Sequence, residues 1–308
     1  LRIEQELARF TPERGTILAI GVFDGVHRGH QHLLGYLKRQ ALVRDLLSGA
    51  VTFRPHPQRV LSPEAPLPCL TSPEEKVRLL KGLGIDLVVF LSFTPELAQL
   101  TAAEFIALLQ KYLKLQGLVV GPDFVLGRGR EGNVLTLHSL GKEMGFTVEV
   151  VPPLLFEGEV VSSTAIRRSL AAGDMKRVRQ LLGRPFSLSG VVIRGAERGR
   201  SLGFPTANLA VNSEQALPAD GVYATKAYFA DRYHPSVSNI GVRPTFGSGE
   251  RMIEVFLLDF SGDLYGQELR IELVERLREE RRFPSAEELR RQMEKDAEQA
   301  RMVLEAEN

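Results

Sequence analysis

The chain has 308 residues, and 39 Lys and Arg against 38 Asp and Glu give a formal net charge of +1, which offers no electrostatic case for binding nucleic acid or a membrane surface. A hydrophobic share of 44% and a charged share of 25% are those of a globular protein long enough for two cores, and one cysteine, Cys69, excludes an intrachain disulfide framework. No run approaches the ~20 apolar residues of a membrane-spanning helix. Leu1 to Arg9 carry no signal-peptide pattern, so a cytoplasmic enzyme is expected.

Thr16-Ile17-Leu18-Ala19-Ile20 reads as a buried parallel strand, and Leu33, Leu34, Leu37 and Ala41 mark the apolar face of a helix. Between them lies Gly21-Val22-Phe23-Asp24-Gly25-Val26-His27-Arg28-Gly29-His30. Strand, glycine-rich turn and helix start together aim backbone N–H groups and a helix dipole at an anion. His27 and His30 flank Gly29 at a spacing that turns both rings towards one pocket, and Gly29 lets a phosphate or base approach the backbone. Two of the six histidines can fall this close by chance. The flanking strand and helix, with the Gly-x-Phe-Asp-Gly lead-in, favour a catalytic pair. They also weigh against a metal site, for which no third ligand stands nearby unless Asp24 serves.

Alternation of strand and helix continues. Ala50-Val51-Thr52-Phe53 is a strand followed by the rigid Pro55-His56-Pro57. Ser72-Pro73-Glu74-Glu75 opens a helix that Gly82 and Gly84 end. A third strand spans Asp86 to Leu91, and Thr101-Ala102-Ala103-Glu104 caps a helix running to about Leu115. Leu118-Val119-Val120 and Phe146 to Val150 complete five strands. This pattern predicts a doubly wound parallel sheet whose ligands lie beyond the carboxyl ends of its strands. His27, His30, His56 and Asp123 all fall there, Asp123 within the glycine- and arginine-rich run Gly121 to Arg130. Ser162-Ser163-Thr164-Ala165-Ile166-Arg167 opens another helix, where the hydroxyls either cap it or, with Arg167, cradle a leaving pyrophosphate.

A short helix from Asp174 ends near Gly183, and from Phe186 short alternating strands replace the helices. Ser189–Ile193, Val222–Phe229, Ile253–Leu258 and Leu269–Leu273 are examples, and they predict a small antiparallel barrel. Ser285 then caps a final helix whose Leu289, Met293, Ala297 and Ala300 form a stripe for packing on it. The expected architecture is a Rossmann-like nucleotide-binding domain over 1–183, followed by a barrel domain with a C-terminal helix over 184–308. In the barrel, Arg194-Gly195 to Gly203 suits phosphate wrapping. Thr206 and Asn208, two apart on an extended segment, point the same way and offer two oxygens to one Mg²⁺. Glu254 sits in an apolar strand, and pattern alone leaves it open between a solvent-facing and a functional role.

His-x-Gly-His after such a strand resembles the nucleotidyltransferase superfamily, and the whole chain is similar to the bifunctional prokaryotic riboflavin kinase/FAD synthetase family. The first half resembles its FMN adenylyltransferase module through Gly21 to His30, Gly121 to Gly127 and Ser162 to Arg167. The second half resembles its riboflavin kinase module through Gly203-Phe204-Pro205-Thr206-Ala207-Asn208, Asn239-Ile240-Gly241 and Leu258-Asp259-Phe260. The resemblance implies that riboflavin and ATP give FMN, and that FMN and a second ATP give FAD and pyrophosphate. It implies His27 and His30 on the ATP phosphates, Ser163, Thr164 and Arg167 on the leaving group, Glu254 as kinase base, and Thr206 and Asn208 holding Mg²⁺. ATP or flavin contacts are implied at Gly21, Phe23, Asp24, Gly29, Asp123, Arg194, Gly195, Gly203, Pro205 and Asn239. Two other readings stand beside it: a single-activity adenylyltransferase with an accessory barrel, and a non-catalytic flavin-binding protein.

Overall fold

Five short strands pair with one another in parallel, and the central one is buried throughout, as a sheet covered on both faces demands. The computed structural model describes residues 2–64, 67–195, 203–230, 232–242 and 251–307, and packing divides the chain into two units, Leu1–Ser163 and Thr164–Asn308. Among the described residues no helix is long and apolar enough to cross a membrane.

The first unit begins with α1 (Arg2–Leu7), β1 (Thr16–Ile20), α2 (Arg28–Val43), β2 (Leu47–Arg54), α3 (Pro57–Leu61), α4 (Pro73–Gly82) and β3 (Leu87–Ser92). It continues with α5 (Pro95–Ala98), α6 (Ala102–Leu113), β4 (Leu115–Val120), the short pair β5 (Val125–Leu126) and β6 (Gly132–Asn133), α7 (Val134–Met144) and β7 (Thr147–Val150). A hairpin, β8 (Leu155–Phe156) with β9 (Glu159–Val160), follows. The sheet order is β3-β2-β1-β4-β7. Every residue of β1 is buried, and its side chains alternate between two cores. Ile17 and Ala19 pack with Leu34, Leu37 and Ala41 of α2, whereas Leu18 and Ile20 pack with Ile106, Leu109 and Leu113 of α6.

The helix expected to reach Leu115 stops at Leu113, because Lys114 adopts a left-handed conformation (φ 52°, ψ 43°) and Leu115 is already paired with Thr16. Strand β2 starts three residues before the expected Ala50. Its early residues include Gly49, which breaks the apolar run but is required there: a Cβ would overlap the Leu18 side chain.

In the second unit, α8 (Ser163–Ala172) and α9 (Met175–Leu182) precede β10 (Phe186–Ile193), β11 (Ala207–Val211), β12 (Gly221–Phe229), β13 (Arg232–Val242), β14 (Arg251–Leu257), β15 (Glu268–Arg278) and α10 (Ala286–Ala306). The strands close an antiparallel barrel in the order β10-β11-β14-β13-β12-β15. Strand β13 lacks an apolar alternation because its inward Ser236 and Ser238 are polar; both bond the buried Thr225 hydroxyl, at 2.8 and 2.9 Å. Helix α10 lies on β12, β13 and β15, with Ala300 and Leu304 against Ala224 and Val274. Its stripe also carries a charge: Asp296 is buried and accepts from the Arg278 guanidinium at 2.8–3.1 Å.

The division between units falls at Ser163/Thr164, ahead of the boundary expected at 183/184. Helix α9 buries Val178, Leu181 and Leu182 and packs on β10 and β15. The Leu170 carbonyl of α8 accepts from the Ala219 N–H at 3.0 Å. A fragment beginning at Thr164 is therefore expected to unfold at a higher urea concentration than one beginning at Arg184. Circular dichroism of both fragments in urea checks this, and equal midpoints would remove α8 and α9 from the core of the second unit.

Candidate active sites

The strand order reverses between β1 and β4, so the loops leaving their carboxyl ends diverge and open a crevice there. The Gly21–His30 turn occupies it under backbone strain: Phe23 (φ 49°) and Val26 (φ 39°) are both left-handed without being glycine. Buried polar groups hold this shape. The Val22 carbonyl accepts from the Thr52 hydroxyl at 3.0 Å and the Lys76 ammonium at 2.8 Å. The Asp24 carboxylate, 3% exposed, accepts from the N–H of Leu70 at 2.9 and 3.0 Å and the N–H of Thr71 at 3.2 Å. Gly25 donates its N–H to the Thr71 hydroxyl at 3.2 Å, and the Ser163 hydroxyl donates to the Asp24 carbonyl at 2.9 Å. Asp24 thus ties the turn to residues 70–71.

His27 caps α2, its Nδ1 accepting from the His30 N–H at 3.3 Å. An Nδ1 that accepts leaves the proton of the neutral ring on Nε2. The His27 and His30 rings stack with centroids 3.6 Å apart and planes 19° apart, and His30 meets the edge of Phe23 at 5.3 Å. Burial, the adjacent His27 and the Lys76 charge hold the His30 imidazolium pKa well below the usual histidine range. His30 Nδ1 is buried without a hydrogen-bond partner. Gly29 serves packing: a Cβ there would stand 2.9 Å from the Val161 carbonyl and 3.1 Å from the His27 ring. Asp123 is exposed in the turn that follows β4. Thr164, exposed, and Arg167, half-buried, stand on α8 in the second unit.

In the barrel, strand register assembles a row that spacing in the chain conceals. Asn208 of β11 pairs with Glu254 of β14, and Glu254 pairs with Asn239 of β13. Directly paired residues share one face of a sheet, here the outer one, since the alternating Ile253, Val255 and Leu257 are buried. Asn208 is 4% exposed, and its Oδ1 and that of Asn239 are buried without partners. Asn239 donates its Nδ2–H to Glu280 at 3.1 Å. Thr206 precedes β11 by one residue. Gly195 lies against the Asn208 amide, which a Cβ would overlap, and Gly203 takes φ 87° beside exposed Pro205. The Arg194 guanidinium lies 5.7 Å over the Tyr265 ring. The remainder of the expected phosphate-wrapping run, 196–202, lies outside the described residues. Next to the row, Phe256 and Phe204 meet edge to face at 5.1 Å and line a groove of about 330 Å³ against Ala297 and Arg301 of α10.

Sequence reasoning placed the histidines, Asn208, Glu254 and Asn239 at these two sites and missed Thr52, Thr71 and Lys76. Lys76 follows two glutamates and reads as surface charge; only its spacing from buried Leu80, one turn on, marks the inward face.

Comparison with known proteins bears on both units. The family described as FAD synthetase matches residues 10–165, and that described as riboflavin kinase matches residues 182–304. The bifunctional riboflavin kinase/FMN adenylyltransferase of Escherichia coli (strain K12) is 40% identical over 287 residues, 92% of this chain and 91% of the relative. The protein of the same description from Pseudomonas fluorescens is 40% identical over 306 residues, 98% of each. A crystal structure described as a macrolide-efflux protein from Streptococcus pneumoniae superposes with a TM-score of 0.89 at 30% identity, covering 98% of this chain and 97% of its own.

The depressed His30 pKa has a consequence for stability. Folding disfavours the His30 imidazolium, so the stability His30 contributes is present above its unfolded pKa of about 6.5 and is lost as pH falls towards the folded value. The difference in unfolding temperature between the parent and His30→Gln should therefore move against the parent as pH drops below about 6.5. Differential scanning calorimetry of both proteins across that range tests it, and a pH-independent difference would count against a buried neutral His30.

Proposed function

The chain belongs to the bifunctional riboflavin kinase/FMN adenylyltransferase family, and from that premise we propose how its residues divide the two reactions. The protein phosphorylates riboflavin to FMN and adenylylates FMN to FAD. ATP is the donor in both steps on this reading, and such phosphorylated intermediates suit a cytoplasmic setting.

Adenylyl transfer is assigned to the turn over the parallel sheet. The observation that carries it is the stacked His27–His30 pair at the start of α2, beyond the carboxyl ends of the strands. An FMN phosphate oxygen attacks the α-phosphorus of ATP, the bond to pyrophosphate breaks, and charge grows on both sides. The nucleophile is already an anion, so the site needs donors rather than a base. Neutral His27 offers Nε2–H, and His30 stands beside it. Thr164 and Arg167 take the leaving pyrophosphate. The Ser163 hydroxyl donates to the Asp24 carbonyl, so its part is to brace the turn. Asp24 acts in the same way, as an anchor rather than a ligand. Gly21, Phe23 and Gly29 shape the pocket, and Asp123 borders it for the flavin.

Phosphoryl transfer is assigned to the Asn208–Glu254–Asn239 row. A ribityl hydroxyl is neutral and gains from a base: Glu254 accepts its proton while the oxygen bonds to the γ-phosphorus and ADP departs. Thr206 and Asn208 are hard oxygen donors, and the buried, unpartnered Asn208 Oδ1 fits a Mg²⁺ held with the ATP phosphates. When bound, that ion neutralises phosphate charge. Arg194, Gly195, Gly203 and Pro205 frame the nucleotide, and Asn239 Oδ1 faces the same reaction centre.

His27→Ala and His30→Ala should each lower FAD formation from supplied FMN by about 10²-fold while riboflavin phosphorylation stays near the parental rate. Equal loss of both activities would point to misfolding or a single shared site. Glu254→Gln keeps the shape but cannot take the proton, so riboflavin phosphorylation should fall by about 10²-fold, the low end for a general base, with FAD synthesis spared. Steady-state kinetics of both reactions on one preparation decide it; a kinase turnover within a few-fold of the parent would remove Glu254 from the mechanism.

A further inference from the structure

Lys76 stands on the inward face of α4, one turn before Leu80, and only 7% of it is exposed. Its ammonium donates to the Val22 carbonyl at 2.8 Å and lies 5.9 Å over the Phe90 ring. Among the described residues no carboxylate comes within ion-pair distance of it. An ammonium has three donors, and burying one carries a desolvation cost. Burial lowers its pKa, whereas Asp24 and Cys69 act in the opposite sense. A helix start reading Glu-Glu-Lys would ordinarily leave the lysine in water, where it costs nothing. Here the chain buries it beneath the one turn that carries both histidines.

We propose that Lys76 is a positioning residue for adenylyl transfer, acting through the Val22 carbonyl on the Gly21–His30 turn and through its charge on the stacked histidines. Two physical effects follow. The turn holds Phe23 and Val26 in left-handed backbone, and such strain persists only where its surroundings over-determine it; Val22, next to Phe23, is held from two sides by Lys76 and Thr52. The charge acts on the rings. Around His30 stand His27 from α2, Lys76 from α4 and the Phe23 edge from the turn, while Asp24 and Cys69 act on Lys76. A cation there disfavours the His30 imidazolium, so His30 meets ATP as a neutral ring.

The inference rests on the assignment of His27 and His30 to adenylyl transfer, so the experiment includes His27→Ala and His30→Ala as references. Full-length Lys76→Met and Lys76→Gln are assayed for FAD formation from supplied FMN, for riboflavin phosphorylation and for thermal unfolding. The His30 imidazole is titrated by NMR, its signals assigned with His30→Gln. Met follows the path of the lysine without a charge to desolvate, so the unfolding temperature should not fall. Turnover to FAD should drop at least tenfold in both variants, the KM for FMN should stay within twofold, and riboflavin phosphorylation should be unchanged. His30 should titrate at a higher pH, because the cation that opposed its protonation is gone. A turnover to FAD within threefold of the parent, an unmoved His30 titration, or a loss of activity matched by a lower unfolding temperature in both variants overturns the proposal. If the histidine variants also spare FAD formation, the assignment of the site fails with it; if they abolish it while the Lys76 variants do not, the role of Lys76 alone fails.

Discussion

A strained turn must be held open over the end of a parallel sheet, and much of the first unit answers that constraint. Phe23 and Val26 adopt left-handed backbone, so the turn cannot rest on local preference. It rests on buried polar contacts from distant segments. Thr52 at the end of β2 and Lys76 on α4 grip the Val22 carbonyl, and the loop at residues 70–71 binds the Asp24 carboxylate. Each contact satisfies a buried group, and the Val22 carbonyl keeps one donor when the other is lost. The same contacts orient His27, whose accepting Nδ1 is fixed by the first turn of α2.

The barrel meets a different constraint. The residues assigned to its site come from three adjacent strands, of which β11 lies well before β13 and β14 in the chain. Because side chains alternate with a period of two, a one-residue slip of β14 would carry Glu254 to the inside and replace it with Val255 or Ile253. The register is secured from within by the packed interior face and by the Thr225, Ser236 and Ser238 hydroxyls. The outer face is secured by α10, through the buried Asp296–Arg278 pair. Site geometry in this unit is therefore a property of barrel closure.

On the proposed assignment, the two sites also differ in the charge they present, as the chemistry of their nucleophiles requires. A phosphate anion attacks in one reaction, and neutral imidazoles with cations close by suit it, since a carboxylate there would repel the nucleophile. A neutral hydroxyl attacks in the other, and a carboxylate between two amide side chains suits it. Asp24, the acidic residue in the histidine turn, is consistent with this division: its oxygens are taken up by backbone donors of residues 70 and 71.

Local pattern in the sequence determined a good deal on its own. The period of the apolar residues specified the five parallel strands, the helix after the turn and the barrel class, because burial on one face or two leaves its mark at fixed spacing. Gly21 to His30 and Gly203 to Asn208 marked both candidate sites, since a glycine turn before a helix and paired oxygens on an extended segment have direct geometric meaning. Tertiary structure alone decided which side chains hold the turn from distant segments. Asp24 and Ser163 hydrogen-bond at the turn, and Lys76, which reads as solvated, is buried. It also decided that α8 and α9 pack with the barrel, that β4 begins at Leu115, and that Asn208, Glu254 and Asn239 stand in one row. The reason is the range of the interactions. Periodicity records what a segment does with its own neighbours in sequence, whereas these outcomes depend on pairings across dozens of residues, which exist only once the sheet has its order and the barrel has closed.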